Sequence, residues 1–232
     1  LHVDESVPPV SGLSGGFSAA NRQLEHFLHH RLSDYAASNS DPVLDACSHM
    51  SAYLHFGQIS ALDIALRVSE SDVPRAAIDA FLEQLIVRRE LSMNACWFNP
   101  GYDRFDTLPA WARKTLNEHR QDKRDFVYTR AQWEAGATHD PCWNAAQAEM
   151  VQSGQMHNYM RMYWGKKLIE WSRTPEEAFE TALYLNNKYE IDGRDPNGFV
   201  GVAWCFGRHD RAWTERPVFG KLRYMNANGL NR

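Results

Sequence analysis

Residues 156–177 read Met156-His157-Asn158-Tyr159-Met160-Arg161-Met162-Tyr163-Trp164-Gly165-Lys166-Lys167-Leu168-Ile169-Glu170-Trp171-Ser172-Arg173-Thr174-Pro175-Glu176-Glu177. In the first part Trp164 and Trp171 are seven residues apart, two helical turns along nearly one face. Thr174-Pro175-Glu176-Glu177 then starts another helix, with a capping Thr, Pro at the first helical position and Glu three residues past the cap. Outward from this pair, helices are expected at about 58–70, 74–95, 109–120, 141–153, 156–172 and 174–188. From Phe17 a further helical spacing runs through Leu24, Phe27, Leu28, Leu32 and Tyr35. Gly, Pro and Asp mark loops at 98–108 and 190–201. Strand signals are almost absent, so the fold class is all-α. The domain reading is an irregular lead-in over 1–16, with two prolines and three glycines, then one helical domain over 17–232.

The chain has 232 residues, 44% of them apolar, enough to bury a substantial core. No run approaches the ~20 apolar residues of a membrane span. The start, Leu1-His2-Val3-Asp4-Glu5, is acidic and lacks an apolar signal segment, so a cytoplasmic or nuclear location is expected. Cys47, Cys96, Cys142 and Cys205 are scattered without paired spacing and are read as reduced and structural. The net charge of −4 argues against a uniformly basic nucleic-acid binder. It is uneven, however: residues 1–50 carry two Arg against six acids, and residues 208–232 carry six basic against two acidic residues. A basic rim or an ordinary solvated face fits that tail.

Two short patterns are set aside. Gly12-Leu13-Ser14-Gly15-Gly16 matches a nucleophile elbow in spelling, but Pro8 and Pro9 precede it where that chemistry needs a buried strand. His26, His29 and His30 share a helix without a carboxylate partner in register, so no metal site is expected. Trp143, Trp164 and Trp171, within 29 residues, are core residues by spacing. Indole is also the side chain most easily oxidised by one electron, and a file of indoles from interior to surface passes an electron. The last two would lie roughly 10 Å apart along their helix.

The stretch Met156 to Lys167 resembles the flavin-binding half of class II cyclobutane pyrimidine dimer photolyases. So do Tyr184-Leu185-Asn186-Asn187-Lys188-Tyr189-Glu190-Ile191-Asp192-Gly193-Arg194-Asp195-Pro196-Asn197-Gly198, Gly207-Arg208-His209-Asp210-Arg211-Ala212-Trp213, and Glu215-Arg216-Pro217-Val218-Phe219-Gly220-Lys221-Leu222-Arg223-Tyr224-Met225-Asn226. The likeness covers the chain from about Tyr35 onward. It implies a helical FAD-binding domain of the photolyase and cryptochrome type. The family's N-terminal α/β antenna domain is absent from this reading, since no alternation of strands and helices would build it.

The resemblance implies FAD as cofactor and DNA containing cyclobutane pyrimidine dimers as partner, with the chain a monomer. Tyr35, Ser48, His49, Met50, Ser51 and Arg88 match phosphate-contacting positions; hydroxyls and a helix start suit an anionic pyrophosphate. Arg161 and Asp192 match a charged pair against the flavin, and Asn186 the side chain facing its N5. Trp164, Trp143 and Trp171 match the electron route, with Trp164 nearest the ring and Trp171 towards solvent. Gln84, Met162 and Trp204 match the pocket for a flipped-out lesion; Asn158 lines up with a substrate-contacting Asn of class I photolyases, where class II chains usually have Gly.

Position 84 departs from the family, where Glu is usual; Gln still donates a hydrogen bond but cannot lend a proton. The segment Trp204-Cys205-Phe206-Gly207-Arg208-His209-Asp210 is one residue shorter than the family norm, and His49 and Ala52 replace the usual Asn and Pro. Light-driven dimer repair is therefore expected, with catalytic roles for Trp164, Trp143, Trp171, Asn186 and Gln84. The alternatives are a cryptochrome-like photoreceptor or repair-deficient relative, and a cofactor-free helical interaction module.

Overall fold

Six of the α-helix starts among the described residues are set by side chains that accept from the orphan N–H groups of the first turn. Ser60, Thr129, Asp140, His157, Thr174 and Asp195 each do so. Pro141, Pro175 and Pro196 follow three of these caps at the first helical position. The structure, a computed structural model, describes residues 5–230. Its helices in chain order are α1 (Phe17–His30), α2 (Tyr35–Ser38), α3 (Ser51–His55), α4 (Ala61–Ser69), α5 (Arg75–Leu82), α6 (Arg89–Phe98), α7 (Ala110–Glu118), α8 (Arg130–Glu134), α9 (Pro141–Ser153), α10 (Asn158–Trp171), α11 (Pro175–Tyr189) and α12 (Pro196–Cys205). A π-helical stretch, Glu83–Arg88, joins α5 to α6. No strand forms among the described residues, where the β-type pairing is an isolated bridge, Arg216 with Gly220.

The all-α reading holds, with local differences. Pro196–Cys205 is a helix although Gly198, Gly201 and Pro196 mark the start of this segment as loop. Gly198 serves close packing instead: a Cβ there would come 2.9 Å from Asn186 Nδ2 on α11. α1 ends at His30, short of Tyr35, because Arg31 leaves helical geometry at φ −130°. Its guanidinium then donates to the Cys47 carbonyl at 3.1 Å and pairs with Asp45 at 2.8 Å.

Two apolar clusters form. α1 to α5 bury Leu24, Phe27, Leu32, Tyr35, Met50, Ile64 and Phe81. α7 to α12 and the tail bury Trp133, Trp143, Tyr163, Trp164, Trp171, Phe179, Phe206 and Phe219. α6 crosses from one to the other and packs on α12. His49 with Gln155 and His55 with Asp195 join the two clusters across the seam between them.

The tail is pinned to α7 by polar contacts. Lys221 N donates to Thr115 Oγ1 at 3.0 Å, Val218 N donates to Asp122 at 2.8 Å, and His119 bridges Asp122 (2.6 Å) and Glu215 (3.0 Å). Gly220 sits at φ +53° against this helix, and a Cβ would press on Thr115 Oγ1 and lie 2.9 Å from His119 Cδ2. Gly220→Ala is therefore expected to destabilise the fold by about 3 kcal/mol, from left-handed strain and overpacking together. A urea denaturation midpoint unchanged from wild type would contradict that account.

Candidate functional site

The segment from Asp45 to Ser51 is laid across the seam by side chains of both clusters. Gln23 Nε2 donates to the Ser48 carbonyl at 2.9 Å from α1. On the other side His49 Nδ1 lies 3.0 Å from Gln155 Oε1, in the turn between α9 and α10, and its Nε2 lies 2.6 Å from Asp45. His49 takes a positive φ of 56° to do this. Ser48 Oγ accepts from Met50 N, Ser51 is exposed at the start of the single-turn helix α3, and the Met50 side chain is buried in the N-terminal cluster. Tyr35 is held edge-on by Phe27 and Phe81, and burial raises its phenol pKa. His55 Nδ1 meets Asp195, the α12 cap, at 3.1 Å and closes the seam further along.

Across from these, α10 and the end of α11 present a buried charged group. Arg161 pairs with Glu190 at 3.1 Å. Sequence reasoning gave it Asp192, which is buried nearby and acts through its charge, without a hydrogen bond between them. Burial works against the Arg161 charge, and the Glu190 and Asp192 carboxylates outweigh it and hold its pKa above the ordinary value. Glu190 is pushed up to about 7 by burial, against the pull of Arg161. Arg161 Nε and His157 Nε2, one helical turn apart, are both enclosed without a hydrogen-bond partner. Buried polar atoms left unpaired are rare, and these two suit a polar ligand at the seam. Asn186 is 2% exposed, and its amide donates to Asn187 Oδ1 at 3.2 Å, which fixes its carboxamide. The donor set fits a dinucleotide with an electron-rich ring: serine hydroxyls at one side, a guanidinium and an amide at the other.

From Arg161 one turn of α10 leads to Trp164, and the indoles then make continuous ring contact. Trp164 stacks on Trp143 with centroids 6.1 Å apart and planes 8° apart. Trp143 Nε1 donates to the Trp164 carbonyl at 3.0 Å, and Trp164 Nε1 donates to Gln147 Oε1 at 2.9 Å. Trp143 meets Trp133 of α8 at 4.8 Å, and Trp133 stacks on Trp171 at 6.1 Å and 8°. The stacks therefore run between helices, not along the shared face of α10 as the seven-residue spacing suggests. Trp171 is 5% exposed, yet it walls a cavity of about 480 Å³ with Phe126, His139 and Arg216. His139 lies 4.5 Å from the Trp171 ring and 2.7 Å from the Tyr128 hydroxyl. Trp133, Tyr128 and His139 were missed because they stand in α8 and its flanking loops, too short to show a period. The available signal was Thr129 with Gln132, which form a capping box immediately before Trp133.

The residues expected to face a lesion fall on the π-helical stretch, α10 and α12. Gln84 is exposed on that stretch. Arg88, from the same stretch, pairs with Glu83 at 3.0 Å and places its guanidinium 5.2 Å from the centre of the half-buried Trp204 ring. Position 88, expected at a phosphate, thus meets the indole expected to face a lesion. Met162 backs onto Cys205 Sγ at 3.8 Å, and Asn158 is exposed at the first residue of α10. π turns recur at functional sites, and this one carries both Gln84 and Arg88. Among the described residues no His, Cys, Asp or Glu group is arranged for a metal, and no helix is long and apolar enough to cross a membrane.

No protein-family profile matches the chain. Its sequence is 55% identical over 232 residues to a deoxyribodipyrimidine photo-lyase of Methanothermobacter thermautotrophicus, covering all of this chain and 51% of that protein. A bacterial class III photolyase from Agrobacterium tumefaciens superposes with a TM-score of 0.69 at 19% identity, over 88% of this chain and 42% of that one. A Synechocystis cryptochrome gives the same TM-score at 18% identity, over 97% and 45%. The chain spans about half the length of the relatives it matches. With the helical fold and the seam residues in place, this likeness along the whole chain assigns it to the photolyase and cryptochrome family.

Proposed function

We propose that this chain carries FAD at the seam and serves light-driven repair of cyclobutane pyrimidine dimers in DNA, as in class II photolyases. The observation that carries the reading is the unbroken indole contact from Trp164, one turn from the buried Arg161, to the cavity wall at Trp171. FAD, when bound and reduced, supplies the light-excited electron that splits the dimer and takes it back afterwards. The residues of the chain bind and orient. Ser48 and Ser51 offer hydroxyls to a pyrophosphate, while Arg161 and Asn186 face the ring system from α10 and α11. Glu190 and Asp192 temper the guanidinium charge, and the flanking apolar clusters keep water out. Trp204, Met162 and Gln84 wall the side where a flipped-out lesion stacks.

The test is blue light on photoreduced protein with a dimer-containing oligonucleotide. Dimers should disappear in light and persist in darkness. No repair despite full flavin occupancy would sink the repair reading and leave cofactor binding standing. Gln84 supports a second reading, a photoreceptor without lyase activity, since its amide donates a hydrogen bond but has no proton to lend. Gln84→Glu is expected to raise repair yield by roughly tenfold. Equal yields in the two proteins would show that position 84 has no part in splitting.

A further inference from the structure

We infer that Trp133 is a fourth electron carrier, the relay between Trp143 and Trp171. The inference rests on the electron route proposed above and extends it to a residue outside that route. The geometry is specific. Trp133 touches both neighbours, tilted at 4.8 Å against Trp143 and parallel at 6.1 Å over Trp171. It is 1% exposed, so a radical cation on it is shielded from solvent. Its position in the file is set by the capping box that starts α8, with Thr129 Oγ1 accepting from Gln132 N and Gln132 Oε1 accepting from Thr129 N at 2.9 Å. The next helical residue, Glu134, ties α8 to α11, accepting from Lys188 at 2.7 Å and from the Tyr189 hydroxyl at 2.7 Å.

The transfer is a sequence of one-electron hops. When Trp164 has given up an electron, Trp143 refills it, Trp133 refills Trp143, and Trp171 refills Trp133. Each indole is oxidised and then reduced by one electron, and no bond forms or breaks. The hole rests on Trp171 beside the 480 Å³ cavity. There a soluble thiol gives one electron, loses its proton to water and pairs with a second thiyl radical as a disulfide. Without Trp133 the hole stays on Trp143 and falls back inward before the thiol acts.

Trp133→Phe keeps a flat ring of similar placement and removes the easily oxidised group. Two readouts test it, beside Trp143→Phe as the broken-chain reference and with melting temperature and flavin occupancy matched. In the loaded protein under blue light with thiol, lasting flavin bleaching should slow about tenfold in Trp133→Phe, towards the Trp143→Phe level. Wild-type rates in Trp133→Phe, with Trp143→Phe inactive, would overturn the relay and leave the route itself intact. The second readout needs no flavin. In a background carrying Trp97→Phe and Trp213→Phe, which removes the two most exposed indoles outside the file, a ruthenium(II) polypyridyl photo-oxidant with persulfate oxidises Trp171 at the cavity wall, and the tryptophan radical absorption is followed as thiol is added. In wild type the hole on Trp171 exchanges with the buried indoles through Trp133, so that thiol meets it for only part of its lifetime. In Trp133→Phe it should be quenched about tenfold faster. Equal lifetimes would overturn the relay. A wild type that binds flavin but never photoreduces would sink the proposed route, and the radical lifetimes would then decide the relay alone.

Discussion

Arg161→Met is expected to empty the flavin site and to destabilise the protein by about 3–5 kcal/mol at pH 8, the cost of leaving a buried charge without its partner. The uncompensated group is Glu190, 2% exposed in its side chain, which loses the guanidinium 3.1 Å away. Its pKa, already raised to about 7 by burial, must then rise further because the remaining neighbour, Asp192, repels its charged form. The sign of the pH dependence follows. A carboxyl whose folded pKa lies above its unfolded value of roughly 4.3 favours folding while protonated, and loses that contribution as pH rises through the folded pKa. In wild type the loss runs from about 4.3 towards 7 and is complete above it. In Arg161→Met the window extends upward, so the variant should be closest to wild type near pH 6 and furthest from it at pH 8. Adding Glu190→Gln should restore most of the stability without restoring flavin retention. Urea unfolding at both pH values, with the visible absorption of the purified proteins, checks this. A yellow, fully occupied Arg161→Met protein would remove Arg161 from the cofactor site.

Trp164→Phe is expected to slow light-driven flavin reduction about a hundredfold. Phenylalanine keeps most of the stack on Trp143, but its ring is far harder to oxidise. The change also orphans Gln147 Oε1, which accepts from Trp164 Nε1 at 2.9 Å and is 1% exposed as a residue. A buried acceptor left unpaired costs about 1–3 kcal/mol. Stability and photoreduction must therefore be measured together, and Trp164→Phe with Gln147→Leu separates them. The double variant should regain stability and stay slow in light. Bleaching at the wild-type rate in either protein would mean that electrons enter the site by another door.

Helix existence was legible wherever a start signal coincided with a period. Thr174-Pro175 opens α11 and the helical spacing from Phe17 opens α1, as expected. Asp195-Pro196 carries the same start signal as Thr174-Pro175, yet the Gly, Pro and Asp of 190–201 together read as loop. Gly198 answers to packing against Asn186 rather than to a turn, and a Cβ at Gly201 would meet nothing within 4 Å. Spacing along one helix cannot show which rings meet across helices. Trp164 and Trp171 share a face of α10, but their stacking partners are Trp143 and Trp133 from α9 and α8. Nor can local sequence choose between Glu190 and Asp192 for Arg161, since both follow Tyr189 within three residues; the fold brings Glu190 to the guanidinium.

The π-helical stretch has one more consequence. A helix that widens for a turn accommodates an extra amino acid without altering where its two ends are anchored. The angular phase of everything beyond Leu85 is offset by about 100° from what uninterrupted α geometry would give. Arg88 reaches the Trp204 ring, and α6 docks on α12, only in that shifted phase. The length of 83–88 is consequently under tighter constraint than its identities. Shortening it by one would rotate the whole of α6 off its neighbour, whereas most substitutions on its exposed side would leave the docking intact.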